Sequence, residues 1–284
     1  MPISSRSKYF DKQWWKAALY SRWKDAVTSF GFQPYEAKLA VNDISFIFAV
    51  TTPLAKNWYA QRENDHSHEL DALMALGLKG ATVFECGAHH GRDCTLLAKI
   101  VGPEGRIISF EPHPDNIRVL RRNVELNRLQ NVIAVNAAVG SKPGSLSIKS
   151  RSNAKVSHNG GIEVPVVTLD EWAEANGIWP DLIKIDVEGY EFEVLRGARK
   201  VLERTPTVFA EVHCNIVGEF GATPEEIWKL IDLSKYEAWI QPHDGVAVEP
   251  LAGRTQLNGR PHLLFVPRHR ASAHRLTPPV PASP

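Results

Sequence analysis

Beyond Ala81 the chain alternates short apolar runs with amphipathic stretches. Runs at Thr82–Cys86, Arg106–Glu111, Val132–Asn136, Leu182–Asp186, Thr207–Val212, Ala238–Gln241 and His262–Val266 have the length and composition of strands. Between them, apolar residues recur at helical steps in Gly91–Val101, Pro114–Asn127, Leu169–Asn176, Tyr190–Leu202 and Pro224–Leu233. Ile117, Leu120 and Val124 mark the inward face of the second helix, and Pro114 and Asp115 suit its first turn. Strands alternating with helices predict a doubly wound, Rossmann-like α/β sheet.

Three segments depart from this alternation. In residues 1–80, Ile44–Val50 reads as a strand, and Trp14, Trp15, Leu19 and Trp23 have near-helical spacing. That predicts a cap packing on the core or on a second subunit rather than on substrate, and an exposed Trp14/Trp15 face would favour a homodimer. Residues 141–165 are polar and glycine-rich, the signature of a hairpin and loop at the strand ends. From Arg268 the chain is proline-rich and polar, so 268–284 is expected to be a disordered tail behind an α/β domain over 81–267.

Composition narrows the partners. The 284 residues, 43% hydrophobic, can bury one substantial core. With 33 basic and 32 acidic residues, nothing global points to nucleic acid or an anionic membrane, which leaves a small-molecule acceptor. The N-terminus lacks an apolar signal region, and no run approaches the roughly 18 apolar residues of a membrane span. Cys86, Cys94 and Cys214 lack C-x-x-C spacing and suit reduced thiols, so a cytoplasmic location is expected.

The stretch A-T-V-F-E-C-G-A-H-H-G (Ala81–Gly91) ends an apolar run in an acid and a glycine-bracketed turn, and Glu111 closes the next strand 20 residues later. That is how a parallel sheet approaches a nucleoside, with the second acid accepting both ribose hydroxyls. The turn is G-x-x-x-G, without the third glycine that lets a helix start cradle a pyrophosphate. Glu85 would repel a diphosphate yet can hold an ammonium. S-adenosylmethionine therefore fits better than NAD, which disfavours a nucleotide-dependent oxidoreductase.

A second apolar strand, I-K-I-D-V-E-G, places Asp186 at the carboxyl edge of the sheet. Val187, Glu188 and Gly189 then turn into a helix whose Phe192, Leu195, Ala198 and Leu202 face the sheet. The strand T-V-F-A-E-V-H brings Glu211 and His213 to the same edge, so Asp186, Glu188, Glu211 and His213 are expected to converge. In one reading His213 or a carboxylate takes the proton of a substrate hydroxyl. In another, Asp186, Glu188 and His213 hold a divalent cation, with Mg²⁺ as the candidate. In a third, Glu188 only caps the helix and His213 bonds a backbone carbonyl. His66 and His68 read as a solvated helix start capped by Asp65 or Ser67, His113 as a cap before Pro114, and His158 as a solvated loop residue.

The runs V-F-E-C-G-A-H-H-G-R-D-C-T-L-L-A, S-F-E-P-H-P-D-N, N-A-A-V-G, V-T-L-D-E-W and, above all, L-I-K-I-D-V-E-G-Y-E-F-E-V-L-R-G-A resemble the FkbM family of S-adenosylmethionine-dependent methyltransferases, over roughly residues 80–267. The resemblance implies the class I methyltransferase fold, a seven-stranded sheet with an antiparallel last strand. It also implies O-methylation of hydroxyls on sugars, polyketides and other secondary metabolites, with some members acting on carboxylates. It places Glu85, Gly87, Ala88 and Gly91 around the methionine moiety, Glu111 on the ribose, Asn136 and Ala137 near the adenine, and Asp186 beside the sulfonium. His89 stands where the family usually has asparagine, and His90 replaces an apolar residue. A non-catalytic binding or scaffold protein on the same fold is the alternative that these two histidines keep open.

Overall fold

The computed structural model describes residues 31–149, 155–157, 160–251 and 253–271. The Trp14–Trp23 segment, His158 and the tail after residue 271 lie outside the described residues. Strands β1 (Tyr35–Val41) and β2 (Ile44–Val50) form an antiparallel hairpin. It turns on Asn42 and Asp43, both left-handed, a conformation that short polar side chains tolerate. Helix α1 (Pro53–Tyr59) starts on a Thr52 cap, β3 (Asn64–Asp65) pairs with β1, and α2 (His68–Ala75) starts on Ser67, as expected.

The α/β alternation then runs through β4 (Thr82–Cys86), α3 (Arg92–Val101), β5 (Arg106–Phe110), α4 (Pro114–Leu126) and β6 (Val132–Val135). Strands β7 (Ala138–Val139), β8 (Gly144–Ile148) and β9 (Ile162–Val167) make a small separate sheet, which contains the expected hairpin. The main pattern resumes with α5 (Leu169–Asn176), β10 (Leu182–Ile185), α6 (Glu191–Arg196), α7 (Arg199–Glu203) and β11 (Thr207–Glu211). It closes with α8 (Ile227–Leu230), β12 (Tyr236–Gln241), β13 (Glu249–Pro250), β14 (His262–Pro267) and α9 (Arg268–Ala271).

The large sheet has the order β13-β12-β14-β11-β10-β4-β5-β6. The strands from β11 to β6 are parallel, and β14 lies antiparallel between β11 and β12. The chain order reverses between β4 and β10, which is where doubly wound sheets open a ligand crevice. The sheet has eight strands rather than seven, the addition being the two-residue edge strand β13.

Period-two alternation sorts the side chains onto two faces. Phe84, Cys86, Ile108, Ile183, Ile185 and Phe265 pack against Phe192, Leu195, Val201 and Trp228 on one face. Val83, Ile107, Leu182, Phe209 and Leu264 meet Leu73, Cys94, Leu97 and Val101 on the other. No described helix is long and apolar enough to cross a membrane.

Three helix expectations change. The stretch expected as one helix over Tyr190–Leu202 breaks at Gly197 and Ala198, whose backbone leaves helical dihedrals where Gly197 packs against the Gly140 carbonyl. Over Pro224–Leu233 a 3₁₀ turn, Pro224–Glu226, precedes the short α8. At Arg268 a helical turn forms, with Arg270 pairing to Asp181 at 2.7 Å, where a disordered tail was expected.

The N-terminal hairpin is tied to the main sheet through α4. Buried Asn123 accepts a hydrogen bond from the Ala49 N–H (2.7 Å) and donates to the His90 carbonyl (2.7 Å), while Asn127 bonds both backbone groups of Ile47. Asn123→Ala orphans two buried backbone groups and should cost about 1–3 kcal/mol in chemical denaturation. A change within about 0.3 kcal/mol would show that water replaces the side chain.

Candidate functional site

The second face of the sheet changes character toward its carboxyl ends. Val83 gives way to Glu85, Ile107 to Ser109, Leu182 to Lys184, and Phe209 to Glu211, each two residues on and on the same face. Strand register sets these polar residues side by side. Glu85 is opposite both Ser109 and Lys184, and His262 is opposite both Glu211 and Gln241. Of this polar band, Lys184, Glu211, Gln241 and His262 line a cavity of about 520 Å³, within the ~300–1,000 Å³ of small-molecule sites.

The turn after β4 is shaped by Gly87. Its φ is +90°, and a Cβ there would fall on the carbonyl oxygen of Asp186, so only glycine fits. The Gly87 and Ala88 N–H groups both bond the Phe110 carbonyl. His89 is also left-handed (φ 48°) and its N–H donates to Glu111 at 2.8 Å. The left-handed region is one that asparagine tolerates best and histidine can adopt, so the turn keeps its backbone bonds with histidine in place. The His89 ring bonds the Tyr59 hydroxyl at 2.8 Å and stacks on His90.

The expected cofactor residues divide into two groups. Gly87, Glu111, Ala137 and Asp186 line the cavity. Glu111 accepts from the N–H groups of His89 and His113 and from Asn116, leaving one lone pair free on Oε2 for a hydroxyl. Burial pushes its pKa up to about 7 against the pull of those donors. Ala88 and Gly91 support the turn from behind; Gly91 caps α3 with its α-carbon against Leu120.

Glu85 and Asn136 are not among the lining residues. Glu85 stands one pleat below the edge, is 1% exposed, accepts from Ser109 and is pushed up to about 7 by burial. It is enclosed in the sheet rather than offered to an ammonium. Asn136 points at backbone, donating to the Glu111 and Pro112 carbonyls.

Next to Glu85, buried Lys184 pairs with Asp93 at 2.9 Å and lies 4.0 Å from Asp186. Although burial opposes it, the charges of Lys184 and Arg92 bring Asp93 down to about 2. Burial raises Asp186 above the usual carboxylate range.

The four residues expected to converge do so. His213 Nε2 is 3.6 Å from both Glu188 Oε2 and Glu211 Oε1, and Asp186, Glu211 and His213 offer donor atoms all within 4.8 Å of one another. Asp186, Glu188 and Glu211 line the cavity, whereas His213, with its side chain 1% exposed, sits behind them. The bonds expected of the purely structural alternative are not the ones that form. Glu188, left-handed at φ 54°, pairs with Lys155 at 3.0 Å and caps nothing, and His213 Nδ1 bonds the Glu191 carboxylate at 2.8 Å rather than a backbone carbonyl. The expected cation set was Asp186, Glu188 and His213; the three donors that lie within 4.8 Å of one another are those of Asp186, Glu211 and His213.

Several site residues were missed from sequence. Glu191, Lys184 and Asp93 have local signals: an acid entering a helix, a lone lysine in an apolar strand sharing a face with Asp186, and an acid in the first turn after the glycines. Arg260, which holds Glu211, and His262, 2.9 Å from Glu69, come from distant chain and have none. Burial opposes it, but Glu211 and Glu69 raise His262 to about 10. Trp58 and Tyr59 on α1 also line the cavity. His66 and His68 stay at the start of α2, with His66 paired to Asp71, and His113 caps α4 as expected.

The methyltransferase FkbM domain model matches residues 85–241, more than half the chain. The hexuronic acid methyltransferase AglP of Haloferax volcanii is 29% identical over 151 residues, 51% of this chain and 60% of that protein. A protein-L-isoaspartate O-methyltransferase of Methanothrix thermoacetophila is 37% identical over 54 residues, 19% of this chain and 26% of that protein. The chain thus spans less than two thirds of these relatives. Among solved structures, a SAM-dependent methyltransferase from Aquifex aeolicus aligns with 15% identity, a TM-score of 0.38 and coverage of 69% and 86% of the two chains. An rRNA methylase from Streptococcus thermophilus aligns with 11% identity, a TM-score of 0.41 and coverage of 77% and 97%.

Glu111 yields two measurable expectations. Glu111→Ala should weaken S-adenosylhomocysteine binding by about 1–3 kcal/mol through lost charge-assisted hydrogen bonds; unchanged affinity in calorimetry removes Glu111 from the ribose. With Glu111 pushed up to about 7, the carboxylate whose remaining lone pair accepts one hydroxyl, rather than the two expected, forms as pH rises. Affinity should therefore fall by up to about tenfold from pH 8 to pH 6 in the wild type and stay flat in Glu111→Gln.

Proposed function

This chain belongs to the FkbM methyltransferase family, and on that premise we propose that it moves a methyl group from S-adenosylmethionine to an oxygen, preferentially a hydroxyl, of a small metabolite such as a sugar, polyketide or other secondary metabolite. The observation that carries the reading is that Glu111 and Asp186, from separate strands, open on one cavity beside a glycine that lets the backbone reach the ligand. The name of the Haloferax relative, a hexuronic acid methyltransferase, adds a sugar precedent. Free thiols at Cys86, Cys94 and Cys214 fit a cytoplasmic enzyme.

The cofactor brings an activated methyl, so the chain's own work is to bind, orient and exclude water. Carboxylates along the cavity wall attract the positively charged donor. The acceptor oxygen is held against Asp186 and Glu188, and its proton passes to one of these carboxylates as the oxygen attacks the methyl carbon. The carbon–sulfur pair stays on sulfur, leaving neutral S-adenosylhomocysteine. His213 is set behind the carboxylates and acts on them rather than on the acceptor.

The test is transfer of labelled methyl from S-adenosylmethionine to neutral sugars, uronic acids and polyketide alcohols. A base-stable labelled ether supports hydroxyl methylation, and base-labile label moves the acceptor to a carboxylate. Failure of the folded protein to bind S-adenosylhomocysteine, or binding without turnover on any acceptor, favours the scaffold alternative. Asp186→Asn should lower kcat about 10²- to 10⁴-fold with S-adenosylhomocysteine affinity kept within about threefold. Equal turnover would take Asp186 out of the reaction.

A further inference from the structure

The group of side chains behind the cavity wall is built more elaborately than proton transfer requires. Glu191, 0% exposed, is bonded to His213 Nδ1, which fixes the ring and leaves Nε2 as its free edge. Nε2 is buried and has no hydrogen-bond partner, and it points between Glu188 and Glu211 at 3.6 Å from each. A buried nitrogen held in place by a carboxylate and aimed at two more is costly unless something positive or protic fills the gap. A carboxylate bonded to the far nitrogen of a histidine is also the usual way a metal-binding imidazole is oriented.

The local charge leaves room for a cation. Asp186, Glu188, Glu191 and Glu211 face Lys155 and Arg260, while Lys184, 4.0 Å from Asp186, is shared with Asp93, and His262, 3.4 Å from Glu211, is shared with Glu69. Four carboxylates against two cations leave a surplus that one dication neutralises. Arg260, its side chain 54% exposed, reaches Glu211 from solvent. Three donors on one ion at about 2.1 Å stand roughly 3.0–3.6 Å apart, so atoms within 4.8 Å of one another need to close by about 1–2 Å, a side-chain adjustment.

We propose that Asp186, Glu211 and His213 form a divalent transition-metal site, with Glu191 as the positioning residue for the imidazole. One nitrogen and two oxygens suit Mn²⁺ or a similar ion better than the all-oxygen preference of Mg²⁺. The site borders the cavity through Asp186 and Glu211, so the ion has coordination positions facing the acceptor. It would orient the hydroxyl and ease its ionisation, leaving Glu188, which is not a ligand, to receive the proton. This rests on the methyltransferase reading for its purpose but not for its test.

The test titrates Mn²⁺ into chelator-treated full-length protein and follows the loss of the free-ion EPR signal. One site per chain is expected, with ¹⁴N modulation from a coordinated imidazole in pulsed EPR of the wild type. His213→Ala and Glu211→Gln should weaken binding at least tenfold, Glu191→Gln about 10- to 100-fold, and Glu188→Gln less than about twofold. No Mn²⁺ binding, or bound Mn²⁺ without ¹⁴N modulation, overturns the site without relying on any variant's folding. S-adenosylhomocysteine titrated into the same metal-free protein separates the two ideas. Its binding without Mn²⁺ binding defeats the metal site alone, and loss of both defeats the cofactor reading as well.

Discussion

The carbonyl of Asp186 rests against the α-carbon of Gly87, and the site is organised around that contact. Two parallel strands, β4 and β10, end side by side where the chain order of the sheet reverses. Any side chain at position 87 would drive the two ends apart. With hydrogen there instead, the turn folds back over β5, bonds the Phe110 carbonyl twice, and presents a backbone N–H to Glu111. Glu111 and the acid at the end of β10 are therefore placed relative to each other by backbone packing, before any ligand arrives.

Around that contact lies a set of ionic groups that depend on one another. Lys184 sits in a strand whose neighbours Ile183 and Ile185 are fully buried; alone, an ammonium there would be expelled or neutralised. It stays charged because Asp93, Asp186 and Glu85 surround it, although burial works against the charge. Removing any member strands the others, so the floor of the cavity is stiff and its dipoles are fixed in advance, the condition under which electrostatics accelerates a reaction most. On the far side, Glu191, His213 and the three wall carboxylates repeat the arrangement with a deficit of positive charge.

Much of this was legible in the sequence because a strand end is a local event. An apolar run that stops in an acid or a glycine places that residue at an edge, which is why Glu111, Asp186, Glu188, Glu211 and His213 were found. Glu85 shows the limit. It lies in the right strand but two residues short of the glycine, and one pleat of depth decides between lining a cavity and being sealed beneath it. The partners of Glu211 could not be read at all, since His262 reaches it only through the antiparallel register of β14 and Arg260 through the loop before that strand. Strand β1 was overlooked although its signal was present: Tyr35, Ala37, Leu39 and Val41 alternate with Glu36 and Lys38, the period of a half-buried strand. The break at Gly197 needed knowledge of a carbonyl that belongs to residue 140.

The family resemblance begins at residue 85, inside the first strand of the main sheet. Physical dependence begins much earlier. Leu96 packs among Phe46, Phe48 and Val50; Asn123 and Asn127 find their partners in β2; Tyr59 holds His89. A fragment trimmed to the matched region would bare an apolar side of α3, strand the side-chain amides of Asn123 and Asn127 and release the turn after β4 from the aromatic group that leans on it. What is recognisable by descent and what is able to stand alone are different lengths of the same polypeptide, and the hairpin ahead of the match belongs to the second.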